Sequence, residues 1–151
     1  MTALHKILQT YQNTSRATAT GTKMHARLQR VFIDGSNTTG DADLISKISQ
    51  NHEIAYLFAP SSQTEVPIAG IINSKFISRR IDRLIIDDQK KVIKILDYKT
   101  DTSHDTYHDI YVAQIREYAS LLHAIYPDYK ITGYILWTHD FSLEKVTIKS
   151  L

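Results

Sequence analysis

Three apolar runs rich in β-branched residues, separated by two short polar turns, constrain the fold of this chain more than any other feature. The runs cover residues 64–72, 76–86 and 91–98. Asn73-Ser74 forms the first turn, and the polar segment 87–90 forms the second. Runs of this length bounded by turn residues predict β-strands, and turns this short join them as an antiparallel meander.

Segments with helical spacing precede and follow this meander. The predicted helices are an N-terminal one bearing Leu4, Ile7, Leu8 and Tyr11, one from about Thr20 with Met24, Leu28, Val31 and Phe32 inward, one over 41–50 and one over 109–126. Two more strands, 130–138 and 143–148, complete the sheet. This order predicts a single α/β domain with a central mixed β-sheet flanked by helices, in which 1–17 form an N-terminal helix and linker and 18–151 the core.

Composition restricts the chemistry. At 151 residues, with 42% hydrophobic and 23% charged residues, the chain has the size and balance of one globular domain. It contains no cysteine, which excludes disulfides, thiolate zinc sites and iron–sulfur clusters. No apolar run is long enough to span a membrane, so we expect a soluble, intracellular protein. A net charge of +2 does not by itself indicate a nucleic-acid partner.

The third run ends in a carboxylate and an amine. Asp97 and Lys99 are two residues apart and therefore point to the same face of a strand. If the second turn is centred after Gln89, opposed residues have numbers that sum to 179, which places Asp82 opposite Asp97. Directly opposed Cβ atoms lie roughly 4.5–5.5 Å apart, so one cation can bridge two such carboxylates. Oxygen ligands suit Mg²⁺ or Mn²⁺, and Lys99 beside the metal can assist an attacking water.

The predicted pairing cannot continue past Asp82 and Asp97, and the D-x-K spacing also has a second interpretation. The same register sets Arg80 against Lys99, a like-charge pair, so we expect the strands to diverge beyond Asp82 and Asp97. An acidic and a basic residue at a strand end also occur as a surface ion pair that contributes little. The D-x-K spacing therefore indicates a metal-dependent site only together with the upstream carboxylate.

Five segments in order resemble the PD-(D/E)xK nuclease superfamily, and within it the C-terminal nuclease domain of AddA- and RecB-type helicase–nucleases (exonuclease V). They are 21–25 (GTKMH), 64–68 (TEVPI), 80–84 (RIDRL), 96–101 (LDYKTD) and 114–118 (QIREY). The resemblance runs from about Gly21 to the end of the chain. One departure is Ser78-Arg79, where the family usually has a glycine, and the chain has no phosphate-binding loop of a helicase.

The resemblance implies a restriction-endonuclease-like core and a Mg²⁺-dependent deoxyribonuclease, with Mn²⁺ as a substitute, that acts as an exonuclease in double-strand-break processing and recombinational repair. It implies metal ligation by His25, Asp82, Asp97 and the Tyr98 carbonyl. It assigns catalytic or supporting roles to Asp82, Asp97, Lys99, Glu65, Gln114 and Tyr118, and DNA contacts to Lys23, Arg79, Arg80 and Tyr118. The implied partners are DNA and a helicase subunit or AddB/RecC-like protein, in the bacterial cytoplasm at the nucleoid.

Two other functions stay open at the level of the sequence. One is a catalytically silent DNA- or partner-binding domain that retains the fold, and the other is a free-standing exonuclease or endonuclease. His25 is one of seven histidines, and Gln114 and Tyr118 also fit the polar edge of an amphipathic helix. Their assignment to a site depends on the resemblance.

Overall fold

The computed structural model describes residues 2–4, 19–102 and 105–149, and most of the predicted N-terminal helix, with Ile7, Leu8 and Tyr11, lies outside them. The described part contains four helices, one short 3₁₀ turn and five strands. In chain order these are α1 (Ala19–Leu28), the 3₁₀ turn (Gly35–Asn37), α2 (Ala42–Ser49), α3 (His52–Leu57), β1 (Gln63–Ile72), β2 (Lys75–Asp87), β3 (Val92–Lys99), α4 (His108–Ile125), β4 (Lys130–Trp137) and β5 (Ser142–Val146).

The five strands form one mixed sheet in the order β1-β2-β3-β4-β5. Only β3 and β4 pair in parallel, and α4 is the crossover between them. The β1–β2 turn is tight because Asn73 and Ser74 both have positive φ, 51° and 65°, which matches the twist of a two-residue hairpin. The predicted α/β fold with a mixed sheet flanked by helices is confirmed.

Helices cover both faces of the sheet. On one face α4 packs its Leu121 and Leu122 against strand residues such as Ile81 and Ile95. On the other face α1, α2 and α3 pack over the sheet through apolar side chains that include Leu28, Leu44, Ile54, Phe58, Leu96 and Leu136. The end of β3 that carries Asp97 and Lys99 therefore lies between two helical layers.

One helix prediction needs correction. The helix predicted to carry Met24 through Phe32 ends at Leu28, and Phe32 instead pairs with Thr39 in an isolated β-bridge. The helix stops early because the carbonyls of Leu28 and Val31 accept hydrogen bonds from a buried guanidinium, that of Arg83. Apolar spacing alone cannot reveal that competition.

The sequence also missed α3. Its six residues are too few to show helical periodicity, although Asn51 caps it by accepting from the backbone N–H of Glu53. The prediction of α2 was better because Asp41 provides the same kind of cap, at Asp43 and Leu44, ahead of a longer apolar stripe. In the described part of the chain, no helix is long and apolar enough to cross a membrane.

Candidate active site

The predicted register between β2 and β3 is confirmed. Arg83 pairs with Leu96 and Leu84 with Ile95, so the paired numbers sum to 179. The ladder stops at Arg83, so the strands diverge one residue earlier than predicted and the expected direct pairing of Asp82 with Asp97 is not part of it. Beyond that point the backbone N–H of Tyr98 donates to Asp82 Oδ2 at 2.9 Å. The Asp82 side chain thus accepts a hydrogen bond from the strand edge where ladder pairing ends.

The β1–β2 ladder is interrupted at the same level. Thr64 pairs with Arg83 and Val66 with Ile81, but Glu65 between them has a φ of 53° and no ladder partner. A non-glycine residue in this region is strained, and such irregularities re-aim side chains next to functional sites. Asp82 therefore lies where the pairing on both sides of β2 is irregular.

Asp82 and Asp97 form a close carboxylate pair. Asp97 is 2% exposed. Burial of Asp82, reinforced by the negative charge of Asp97, raises the pKa of the Asp82 carboxyl well above its usual range, whereas Lys99 acts in the opposite direction. The pair consequently has the electrostatic character expected of a site where a cation or a proton must neutralise one carboxylate.

Lys99 is held in place by α4. Its Nζ lies 2.7 Å from Asp97 Oδ2 and 3.0 Å from Gln114 Oε1. Gln114 Nε2 donates to the Tyr118 hydroxyl at 2.7 Å, and that hydroxyl approaches the Arg80 carbonyl at 3.4 Å. Gln114 and Tyr118 are one helical turn apart, so a single face of α4 fixes the ammonium group. Burial and the nearby carboxylates raise the pKa of Tyr118 well above its usual range, so its hydroxyl stays protonated.

Tyr111 and Asp101 extend this cluster, and sequence reasoning gave them no role. The Lys99 ammonium lies 4.5 Å from the centroid of the Tyr111 ring, and the Tyr111 hydroxyl donates to Asp101 Oδ2. Burial raises the pKa of both groups, that of Asp101 against the opposing effect of Lys99. Asp101 belongs to the LDYKTD segment, and Tyr111 lies one helical turn before Gln114. These two positions are the sequence features from which a role near Lys99 could have been predicted.

His25 approaches the same strand from the other helical layer. Its Nε2 lies 3.0 Å from the Tyr98 carbonyl oxygen, and the His25 and Tyr98 rings are in edge contact with centroids 5.5 Å apart. The N–H and C=O of one strand residue point to the same edge. Because Asp82 accepts from the Tyr98 N–H, the His25 imidazole and the Asp82 carboxylate meet β3 at one edge.

A cavity of about 390 Å³ opens beside this edge. Its lining includes Gly21, Thr22, His25, Glu65, Lys99 and Asp101. The cavity thus combines residues from α1, β1 and the end of β3, and Lys99 is part of its lining.

The donor types fit a hard divalent cation, because the carboxylates and the Tyr98 carbonyl are oxygen ligands and His25 adds a nitrogen. Their present spacing does not form a closed ligand set: among the described residues, no three His, Asp or Glu groups lie close enough together to hold a metal ion. Binding a metal at this edge therefore requires side-chain rearrangement.

The basic residues predicted to contact DNA lie in three different surroundings. Arg79 turns towards α4, where its Nε lies 3.0 Å from Glu117 Oε1. Arg80 faces the other way with its side chain 62% exposed, and its Nη1 lies 3.8 Å from Glu65 Oε2. Lys23 is exposed on α1. Tyr118, also predicted to contact DNA, is 2% exposed.

Arg83, in the RIDRL segment, is a buried residue near the site to which the sequence analysis assigned no role. It is 0% exposed. Its guanidinium donates to the Tyr98 hydroxyl at 2.8 Å, to Ser62 Oγ at 2.7 Å and to the carbonyls of Leu28 and Val31 at 2.9 and 3.0 Å. Arg83 therefore connects the C-terminal end of the helix that bears His25 to the strand that bears Asp97 and Lys99.

The strands and helices together define an α/β domain with a mixed sheet between helical layers. The chain matches the crystal structure of a putative exonuclease from Eubacterium rectale with 15% identity and that of SSO0001 with 17% identity; in both cases the TM-score is 0.50 and the match covers 97% of this chain and 60% of the other. At these identities the likeness shows the fold alone, and this chain spans about 60% of the length of the two structures. No protein-family model and no curated protein matches the chain.

Proposed function

We propose that this chain is a metal-dependent nuclease module of the PD-(D/E)xK type that hydrolyses DNA phosphodiester bonds. The observation that supports it most is the Asp97–Lys99 ion pair of 2.7 Å, nearly buried beside Asp82 and next to an open cavity. An isolated surface ion pair needs neither a second, part-buried carboxylate nor a glutamine that fixes the ammonium. A phosphodiesterase needs both a place for a cation and a positioned positive charge.

In this proposal Asp82, Asp97, the Tyr98 carbonyl and His25 hold Mg²⁺ or Mn²⁺. The cation would lower the pKa of a bound water and stabilise charge on the phosphate. Lys99, fixed by Gln114, orients the attacking water or stabilises a phosphate oxygen in the transition state. Glu65 borders the same cavity. Arg80 and Lys23 are the exposed cations that would contact the DNA backbone, which gives salt-sensitive binding without sequence preference.

The finer proposal concerns context. The resemblance supports an exonuclease that serves an AddA/RecB-like helicase–nuclease in break processing, with a helicase subunit or AddB/RecC-like partner, in the bacterial cytoplasm at the nucleoid. Cleavage of linear DNA but not of closed circular DNA would support the exonuclease activity, and cleavage of both would indicate an endonuclease.

The test is Mg²⁺-dependent cleavage of linear single- and double-stranded DNA by the wild-type chain and by Asp97→Asn and Lys99→Met. We expect both variants to lose at least about 1,000-fold in rate while they keep the circular-dichroism spectrum of the wild type. Asp97→Asn removes a carboxylate that would bind the metal, and Lys99→Met removes the positive charge that would stabilise the phosphate in the transition state. Lys94→Met is the matched control. Lys94 belongs to the same strand but faces Tyr56 on the other side of the sheet, so this variant keeps wild-type cleavage.

Wild-type cleavage by Lys99→Met would contradict the proposal. A wild-type chain that binds DNA but never cleaves it, with either cation, would instead favour the catalytically silent binding domain.

A further inference from the structure

One face of the β1–β2 hairpin is covered by no helix in the described part of the chain. Three cross-strand pairs form it, and we call their residues the open face: Pro67 with Arg80, Ala69 with Ser78, and Ile71 with Phe76. All six are exposed, and Ile71 and Phe76 at the hairpin end reach 74% and 75%. The opposite face packs on α4 through Ile68, Ile77 and Ile81. The hairpin therefore buries one face and leaves an aromatic ring and an aliphatic side chain uncovered on the other.

The open face starts at the cavity of the candidate active site. Arg80 Nη1 lies 3.8 Å from Glu65 Oε2, and Glu65 lines that cavity together with His25 and Lys99. Phe76 lies four residues from Arg80 along β2, about 13 Å at the usual rise of a strand. The side chains between the two ends are small or flat. A single extended ligand can therefore touch Phe76, Arg80 and the cavity at once.

The charge of the hairpin favours a polyanion. Within 75–81, β2 contributes Lys75, Arg79 and Arg80 and no acidic residue. Of these, Arg80 lies on the open face, whereas Arg79 pairs with Glu117 of α4 and Lys75, opposite Ile72, belongs to the other face. Lys75 is exposed next to Phe76 at the tip, and Arg80 is exposed next to the cavity. An exposed arginine on the same strand face as an exposed aromatic ring can bind a nucleic-acid phosphate while the ring stacks on a base. Two large apolar side chains are too few for the core of a stable protein–protein interface.

The exposed ring also selects the form of nucleic acid. In a duplex the base faces are stacked on each other, so only an unpaired base can place its face on an aromatic side chain. We propose that the open face binds single-stranded DNA, with a base stacked on Phe76 and a backbone phosphate on Arg80, and leads the strand into the cavity. This inference rests on the proposed function, because it names the form of DNA that the candidate active site receives.

The test measures the affinity of the full chain for fluorescently labelled oligonucleotides by anisotropy, with EDTA present so that nothing is cleaved. We expect Phe76→Ala to weaken binding of a single strand about tenfold, since one stacked base contributes that much. Phe76→Trp should keep the affinity, and its added indole fluorescence should be quenched by single-stranded DNA. Tyr56→Ala is the matched control, because Tyr56 is an aromatic 49% exposed on α3, away from the hairpin, and this variant should bind like the wild type.

Arg80→Gln tests the phosphate contact. It should weaken binding and reduce the slope of log affinity against log salt by about 0.7, the value for one phosphate contact on a single strand. A slope equal to that of the wild type would remove Arg80 from the interface.

Several results would overturn the inference. Three concern DNA affinity: wild-type affinity in Phe76→Ala, a loss of affinity in Tyr56→Ala as large as that in Phe76→Ala, or equal affinity for duplex and single-stranded DNA. The fourth is a dimer in sedimentation that Phe76→Ala dissociates, since a second copy of the chain would then occupy the open face. The proposed function is measured separately, as Mn²⁺-dependent cleavage of bis(p-nitrophenyl) phosphate by the wild-type chain, a substrate too small to reach Phe76. Cleavage without any effect of Phe76 on DNA affinity overturns only the open-face inference, and Phe76-dependent binding without cleavage overturns only the nuclease.

Discussion

Lys99 and Arg83 are cations on neighbouring strands, the first with its side chain 11% exposed and the second fully buried, and their surroundings differ. The Lys99 ammonium lies 2.7 Å from Asp97, close to Asp82, and beside the cavity. The Arg83 guanidinium donates only to neutral groups, and no carboxylate in the described part of the chain pairs with it. The phenyl rings of Phe58 and Phe32 lie 4.2 and 4.9 Å from its central carbon.

The difference shows how each charge is compensated. An ammonium is a compact, strongly hydrated charge, so in a buried place it needs a carboxylate. A guanidinium is delocalised and weakly hydrated, so the partial negative charge at the C-terminal end of α1 and two aromatic faces can stabilise it. Lys99 thus borders the cavity, whereas Arg83 is fully buried and fixes α1, and with it His25, against β3.

Arg83→Met gives the largest expected effect on stability. It removes the donor of the Tyr98 hydroxyl, of Ser62 Oγ and of the Val31 carbonyl, while the Leu28 carbonyl keeps the Val31 N–H, and each buried group left unpaired costs about 1–3 kcal/mol. We expect the free energy of unfolding, measured by urea denaturation, to fall by about 3 kcal/mol or more. Arg30→Met, at an exposed arginine just beyond the end of α1, is the matched control and should change it by no more than about 0.5 kcal/mol. A small loss in Arg83→Met would mean that α1 is held by apolar packing alone.

Gln114→Leu tests the Lys99 half of the contrast and should affect rate more than stability. The substitution removes the oxygen that accepts from Lys99 Nζ and the N–H that donates to Tyr118. With the ammonium less constrained, we expect kcat for DNA cleavage to fall about 10- to 100-fold with little change in KM, since the loss is felt in the transition state. Gln89→Leu, in the exposed turn between β2 and β3, should leave both constants unchanged. A rise in KM with constant kcat would place Gln114 in binding instead.

Asp82→Asn has the smallest expected effect, and unlike Arg83→Met it should stabilise the folded protein. The pKa of Asp82 is raised in the folded state, so between the unfolded value of about 3.9 and the folded one the native protein binds more protons, and stability falls as pH rises. Asparagine abolishes this loss and still offers an oxygen to the Tyr98 N–H. In EDTA at pH 8 we expect the variant to be more stable than the wild type by about 1 kcal/mol, with the gain vanishing near pH 3.

The controls for this variant are thermal melts at both pH values and Asp82→Ala, which removes the acceptor for Tyr98 and should destabilise the fold at pH 8. A lower melting temperature for Asp82→Asn than for the wild type at pH 8 would contradict the prediction and show that the charged carboxylate stabilises the fold more than its repulsion with Asp97 destabilises it.

The sequence predicted the sheet better than the helices around it. Strand patterning is local: β-branched runs and turn residues set β1, β2 and β3, and counting from the second turn set the pairing of Leu84 with Ile95. The end of α1 and the presence of α3 were not predictable in that way. The first depends on Arg83, which is 55 residues away from Leu28 in the chain, and the second on a short segment whose stability comes from packing.

The candidate site divides along the same line. Residue spacing by itself determined that Asp97 and Lys99 share a face and that Asp82 approaches them across the hairpin, because the period of a strand and the register after a tight turn are local geometry. Only the tertiary structure decided that Gln114 fixes Lys99, that His25 meets the Tyr98 carbonyl, and that Arg83 joins the two layers. These contacts join elements far apart in the chain, and the packing of helices on both faces of the sheet brings them within hydrogen-bond distance.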